Sequence, residues 1–261
     1  MGTVPQSKRF EAGGYFYLPA VFQYSGGVAA APGFAMVRQR FSKPLPLDQA
    51  FAALEQHLAA VGRPLTAFAH CELRSPAPFS EQGFVDFNRA YVQRLQSWGL
   101  FDGGDSQDNP VARTNVCPMY DPPSAPAMYA FSYTVPATDK HSGGFMVAGS
   151  GEASEKAGEP YHARIVALHD NSPEGLARKV DNVIETMRLR LAGLGFDWSD
   201  ANVAQIYTVQ NIGHLVGPLM AARGIAPAGL CWHYARPPVQ GLDYEMDVHG
   251  AASDSLIRVA D

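Results

Sequence analysis

Apolar positions recur at three- and four-residue steps in two long stretches of the chain. Leu47, Phe51, Leu54, Leu58 and Val61 form one stripe, which Gly62 closes as a C-terminal cap. Leu176, Val180, Val183, Ile184, Met187, Leu191 and Leu194 form the other, with Ser172 as N-cap, Pro173 at the first helical position and Gly195 at the end. Each stripe predicts an amphipathic helix. A glycine-interrupted strand is expected before each helix, at 15–27 and 143–151, and a short strand after it, at 68–74 and 203–209. A second helix follows in each half, around 84–98 and around 214–223. Closing strands come next, at 111–118 and 128–135 in the first half and at 227–232 and 242–247 in the second. The order β-β-α-β-α-β-β is read twice. It predicts an α+β fold made by tandem duplication, with domains at 1–137 and 143–261 and the junction in the polar run 134–144.

The halves differ in length and chemistry. The first is extended at 75–82 and 102–110, both loop-like in their Pro, Gly, Ser and Asp content. Composition narrows the functional classes. With 46% hydrophobic and 17% charged residues, 261 residues suffice for a compact globular protein. The net charge of −5, with basic residues scattered rather than clustered, argues against nucleic acid as a partner. No apolar run reaches the roughly 18–20 residues of a membrane span, and the N-terminus has no apolar stretch behind its charges, so a cytoplasmic location is expected. Cys71, Cys117 and Cys231 are odd in number, widely spaced and without a CxxC pair, and the eight histidines show no HxH or HExxH spacing. Neither a disulfide framework nor a metal site is expected.

The candidate chemistry lies near the ends of the two halves. Pro-Val-Ala-Arg-Thr (110–114) carries Arg113, Pro-Ala-Gly-Leu-Cys (227–231) carries Cys231, and Tyr-Glu-Met-Asp-Val (244–248) carries Glu245 and Asp247. A guanidinium fork can hold a carboxylate with two hydrogen bonds, and a partly buried Glu can align water and manage proton transfers. Glu245 and Asp247, two apart in a strand, face the same side. Asn115, Arg236, His233, Ser25 and Gly26 complete the candidate substrate-binding set. Each has a plainer reading. Arg113 can close a structural ion pair, Cys231 can be a packed thiol, Arg236 a loop cation, and Glu72 can pair with Arg74 on one strand face. Gly-Ser-Gly-Glu (149–152) is too short and wrongly placed for a phosphate-binding loop.

With Ser-Gly-Gly (25–27) and Gly-Ser-Gly (149–151), these motifs resemble the RidA (YjgF-like) family of small α+β domains that deaminate imines and enamines. The resemblance implies sheets packed in a trimeric barrel-like core with helices outside, hence a trimer of two-domain chains, and an enzyme that needs no cofactor. It implies that Arg113 binds the substrate carboxylate, that Cys231 lines the pocket, and that Glu245, with Asp247 beside it, positions water. Two departures stand out. Gly229 occupies the second copy's arginine position, and 128–132 lacks the acidic pair in the first, so neither copy alone holds both groups. A mixed site is expected, with Arg113 and Glu245 together. It would act on a small 2-amino unsaturated carboxylate of the 2-aminomuconate type, giving the 2-oxo acid and ammonia. The alternatives are a chorismatase-like enzyme splitting an enolpyruvyl ether and a non-catalytic ligand-binding protein.

Overall fold

A computed structural model describes residues 2–102, 108–138, 141–154, 160–225 and 229–259. Parts of the expected 102–110 loop, the 134–144 junction and the 227–231 motif therefore lie outside the described residues. Among the described residues the strands are β1 (Lys8–Phe10), β2 (Tyr15–Tyr17), β3 (Gly27–Ala30), β4 (Phe34–Pro46), β5 (Phe68–Arg74), β6 (Ala112–Pro118), β7 (Ala127–Pro136), β8 (Phe145–Gly151), β9 (Val203–Tyr207), β10 (Leu230–His233), β11 (Ala235–Arg236), β12 (Glu245–Gly250) and β13 (Ser253–Ile257). The long helices are α1 (Leu47–Ala60), α2 (Glu81–Ser97) and α3 (Pro173–Leu194).

The α3 termini follow the sequence signals. Ser172 Oγ accepts from Gly175 N at 3.1 Å, and Gly195 takes φ 87°, a left-handed conformation that glycine adopts without a Cβ penalty. The expected helix at 214–223 is instead a single α-turn, Gly213–Leu215, followed by a π-turn, Val216–Met220, and a 3-10 turn, Ala221–Arg223. Gly217 and Pro218 in this short span disfavour regular helix. The periodicity also gave no sign of β4, a 13-residue strand.

The strands form two sheets, ordered β1-β2-β3-β8-β12-β9-β10 and β11-β6-β5-β7-β4-β13. This order corrects the expectation of two self-contained β-β-α-β-α-β-β units around a trimeric barrel-like core. β3 pairs with β8, not with β4 next to it in the chain, while β13 near the C-terminus pairs in parallel with β4 and β11 pairs with β6. Both sheets draw strands from both ends of the chain, giving a two-sheet mixed α+β fold. Within it, β6-β5-β7-β4 and β10-β9-β12-β8 share one order, parallel in the first pair and antiparallel in the others.

The inner face of each sheet, which the expected core would have turned toward neighbouring subunits, is covered by the other sheet of the same chain. Val28, Met146 and Ala148 from one sheet meet Met36, Ala69 and Ala112 from the other. The outer faces carry the helices. α1 and α2 pack Phe51, Leu54, Leu58, Tyr91 and Leu95 over one sheet, and α3 packs Val180, Val183, Ile184, Met187 and Leu191 over the other.

The inter-sheet layer turns polar beyond this contact. Arg38 donates to Glu72 through Nε (2.6 Å) and Nη2 (2.9 Å), and Asp247 accepts from Gln205 Nε2 and from Tyr207 Oη, each at 3.0 Å. Burial pushes the Glu72 carboxyl up, but the Arg38 charge and hydrogen bonds hold it well below the usual carboxylate range. Asp247 is held low in the same way by His249, 3.1 Å away. The Glu72–Arg74 pairing read from the sequence is present, but at 3.8 Å it is secondary to Arg38.

Candidate active site

A cavity of about 400 Å3 opens where the 19–24 loop, α2, β6, β8, the 161–164 turn and the start of β12 converge. Arg113, Asn115 and Glu245 all line it. Arg113 and Asn115 are two apart on β6 and so share a strand face.

The Arg113 guanidinium is buried, and neither Nη1 nor Nη2 has a hydrogen-bond partner. Four rings surround it, with centroids at 4.8 Å (Tyr91), 5.1 Å (Tyr24), 5.6 Å (Phe87) and 5.7 Å (Phe84). Ring faces attract the cation but offer no acceptor lone pairs in the guanidinium plane, so the fork is held in place with its hydrogen bonds unmet. The structural ion pair that a lone arginine often makes is not formed among the described residues. Asn115 repeats the pattern, since Ser75 Oγ donates to its Oδ1 at 3.0 Å while the buried Nδ2 has no partner. Buried donors without partners are uncommon in folded proteins, and three of them on two neighbouring side chains that line one cavity point to a ligand acceptor.

Glu245 stands at the first position of β12, opposite Gly151 and Tyr207. The carboxylate of buried Glu152 fixes the backbone just ahead of it, accepting from Asp243 N at 2.6 Å and Tyr244 N at 3.1 Å. Lys179, buried on α3, bonds Asp243 and lies 3.6 Å from Glu152. Room for the Glu245 carboxyl comes from Gly149. β8 is bulged here, because the step from Met246 to Val248 on β12 spans Ser150 to Val147 on β8. A Cβ built on Gly149 would lie 2.2 Å from Glu245 Oε1 and 3.0 Å from Thr114 Cγ2. Thr114 Oγ1 accepts from Gly149 N at 3.0 Å and bonds Asp247, which joins the cavity wall to the inter-sheet network.

Burial, then the negative charges of Asp247 and Glu152, push the Glu245 carboxyl well above the usual range, with Arg190 and Arg113 opposing them. A carboxyl so placed holds its proton at higher pH than an exposed one and can act as an acid as well as a base.

The other sequence candidates stand elsewhere. Ser25 and Gly26 lie behind the wall. Ser25 Oγ donates to Pro110 O at 3.3 Å, and a Cβ on Gly26 would sit 3.4 Å from Arg190 Nε. Cys231 and His233 are on edge strand β10, where Cys231 is exposed and His233 Nε2 meets Gln205 Oε1 at 2.9 Å. Partial desolvation by its neighbours pushes the Cys231 thiol up, away from thiolate character. Arg236 is exposed, its Nε against Met119 Sδ. Asp247 faces the inter-sheet network rather than the cavity wall.

Sequence reasoning missed Tyr24, Tyr161, Arg164 and Arg190, which also line the cavity. Lys179 and Arg190 interrupt the apolar face of α3, and cations in a core-facing stripe are a legible sign of buried charge. The short Tyr161–Arg164 turn carries no such signal. Among the described residues, no group of three or more His, Cys, Asp and Glu side chains is arranged to hold a metal ion, and no helix is long and apolar enough to cross a membrane.

A cavity lined by an unpartnered guanidinium and by a carboxyl pushed well above its usual range is a site of the enzyme type, suited to a small carboxylate. The chain belongs to the family described as 2-aminomuconate deaminase CnbZ, whose model matches residues 7–255. A 2-amino-5-chloromuconate deaminase from Comamonas testosteroni is 56% identical over 255 residues, covering 97% of this chain and all of that protein. A chorismatase crystal structure aligns with a TM-score of 0.48 and 14% identity, over 86% of this chain and 77% of that one.

Proposed function

We propose that this protein is a hydrolytic deaminase of 2-aminomuconate-type enamine carboxylates, converting them to 2-oxo acids and ammonia with water as the only co-reactant. The observation that carries this reading is the buried, unpartnered Arg113 fork lining the same cavity as Glu245, whose carboxyl burial pushes well above the usual range. Family membership and the 56% identical relative support the substrate class.

The carboxylate beside the nitrogen-bearing carbon docks on Arg113, with Asn115 Nδ2 donating to one of its oxygens. Protonated Glu245 delivers its proton to the enamine carbon chain as the nitrogen lone pair forms the C=N bond, leaving an iminium and a Glu245 carboxylate. Water then attacks the iminium carbon. The new C–O bond forms, the C=N pair returns to nitrogen, and Glu245 takes the proton water releases. Glu245 next protonates the nitrogen and recovers a proton from the hydroxyl as the C–N bond breaks, so ammonia leaves, the carbonyl forms and the acid is restored. Arg113 steadies the substrate throughout, and the aromatic wall around it keeps competing water from the fork.

Product analysis tests this against the enolpyruvyl-ether alternative. The purified protein is supplied with freshly generated 2-aminomuconate and, separately, with chorismate. Ammonia and 2-oxo acid in equal amounts from the first, with no pyruvate from the second, is the expected result. Pyruvate from chorismate without ammonia from 2-aminomuconate would overturn it.

A further inference from the structure

A second guanidinium on the cavity wall has no role in the chemistry above. Arg164 lines the cavity, its Nε is buried without a hydrogen-bond partner, and among the described residues no carboxylate pairs with it. Its Nη1 donates to Ser154 O at 3.1 Å and its guanidinium lies 5.1 Å from the Tyr161 ring centre. The arrangement resembles that of Arg113, with an aromatic face beside the cation and a buried donor left unmet on a residue that lines the cavity.

The backbone under Arg164 is tied to the machinery around Glu245. Ser154 N donates to Arg164 O at 2.9 Å, Val166 N to Glu152 O at 2.8 Å, and Ala153 bridges Ile165. Glu152 in turn clamps the residues before Glu245. Just beyond, Ala167 (φ 50°) and His169 (φ 63°) hold left-handed conformations that disfavour side chains. The surrounding fold therefore fixes this turn in place. Arg190 is not equivalent, because its Nη1 donates to Ala148 O at 3.0 Å and, unlike Arg164, it has no buried nitrogen left without a partner.

We propose that Arg164 is a specificity-determining residue that binds the second carboxylate of a six-carbon dicarboxylate, while Arg113 binds the carboxylate next to the reacting carbon. Two cations held by separate segments select a dianion of matching length over a monoanion of the same shape. The inference rests on the deaminase reading for the identity of the substrate, but its own readout is binding.

The experiment uses trans,trans-muconate and sorbate, two unreactive six-carbon dienes that differ by a carboxylate against a methyl, titrated calorimetrically into the wild type, Arg164→Gln and Arg164→Lys. Wild type is expected to favour muconate by about 10- to 100-fold, the worth of a charge-assisted hydrogen bond. Arg164→Gln should reduce that ratio to about threefold or less, and Arg164→Lys, which keeps the charge but loses the fork, should fall between them. On 2-aminomuconate, Arg164→Gln should raise KM about tenfold or more with kcat nearly unchanged. A muconate-to-sorbate ratio that persists in a folded Arg164→Gln, or is near one in wild type, overturns the assignment. Ammonia release with an unchanged ratio sinks Arg164 alone, whereas absence of ammonia from wild type with a ratio that collapses in Arg164→Gln sinks the deaminase reading alone.

Discussion

Arg38 and Arg113 are both buried on strands of the same six-stranded sheet, yet they are provided for in opposite ways. Arg38 meets Glu72 through two hydrogen bonds and Asp254 through a third at 2.7 Å. Among the described residues, Nη1 and Nη2 of Arg113 have no hydrogen-bond partner and the guanidinium lies against aromatic rings. The carboxylates differ in parallel, since Glu72 is held well below its ordinary range by its partner and Glu245 is pushed well above it. Desolvated charge is common to both regions. The inter-sheet network largely satisfies it within the chain, whereas the cavity leaves a guanidinium without a partner and pushes a carboxyl toward its neutral form.

The sharpest way to break the contrast is to make Arg38 resemble Arg113. Glu72→Ala strips Arg38 of its buried partner and should cost about 3–5 kcal/mol in denaturant unfolding, the usual penalty for breaking a buried pair. Arg113→Ala removes a charge that meets ring faces and no carboxylate, and should cost clearly less in unfolding than Glu72→Ala.

Glu245→Gln should lower kcat by about 10²–10⁴-fold, the range of general acid–base catalysis, without loss of fold. Its stability has a defined pH dependence. The folded Glu245 pKa lies above the unfolded value of about 4.3, so the stabilising preference for the protonated form is complete below that value and is lost as pH rises through the folded pKa. Gln, neutral throughout, should therefore gain in Tm over the wild type as pH goes from 5 to 8, with little difference at pH 4. A constant difference across that range would contradict the raised carboxyl.

Gly149→Ala places a methyl against Glu245 Oε1 and the Thr114 backbone, and should reduce kcat by about tenfold or more while muconate affinity changes less. Cys231→Ser should have the smallest effect. The thiol is exposed on an edge strand away from the cavity, so ammonia release within about twofold of wild type is expected.

The sequence made some of this legible. Apolar spacing placed α1 and α3 because helical stripes against a sheet are local patterns, whereas the doubled element order read from the chain does not survive the strand order of the two sheets. Strand exchange was hidden, because whether β3 pairs with β4 or with β8 depends on partners more than a hundred residues apart, and both choices bury the same apolar side chains. In the site, Arg113, Asn115 and Glu245 could be named because their chemistry is unusual where it stands. Cys231, His233 and Arg236 could be named on similar grounds and lie elsewhere, since strand alternation gives a face but not which face borders the cavity. The aromatic wall was present in the sequence as Phe84, Phe87 and Tyr91 on one predicted helix, though nothing there said it would cover an arginine.

The most direct test of the central claim is the initial rate of ammonia release from 2-aminomuconate by the wild type, Arg113→Ala, Glu245→Gln and the double variant. If the two residues serve one reaction in one cavity, each single change abolishes most of the rate and the double variant is scarcely worse than the poorer single one. Losses that multiply independently would contradict the shared site, as would a wild-type rate that either variant retains.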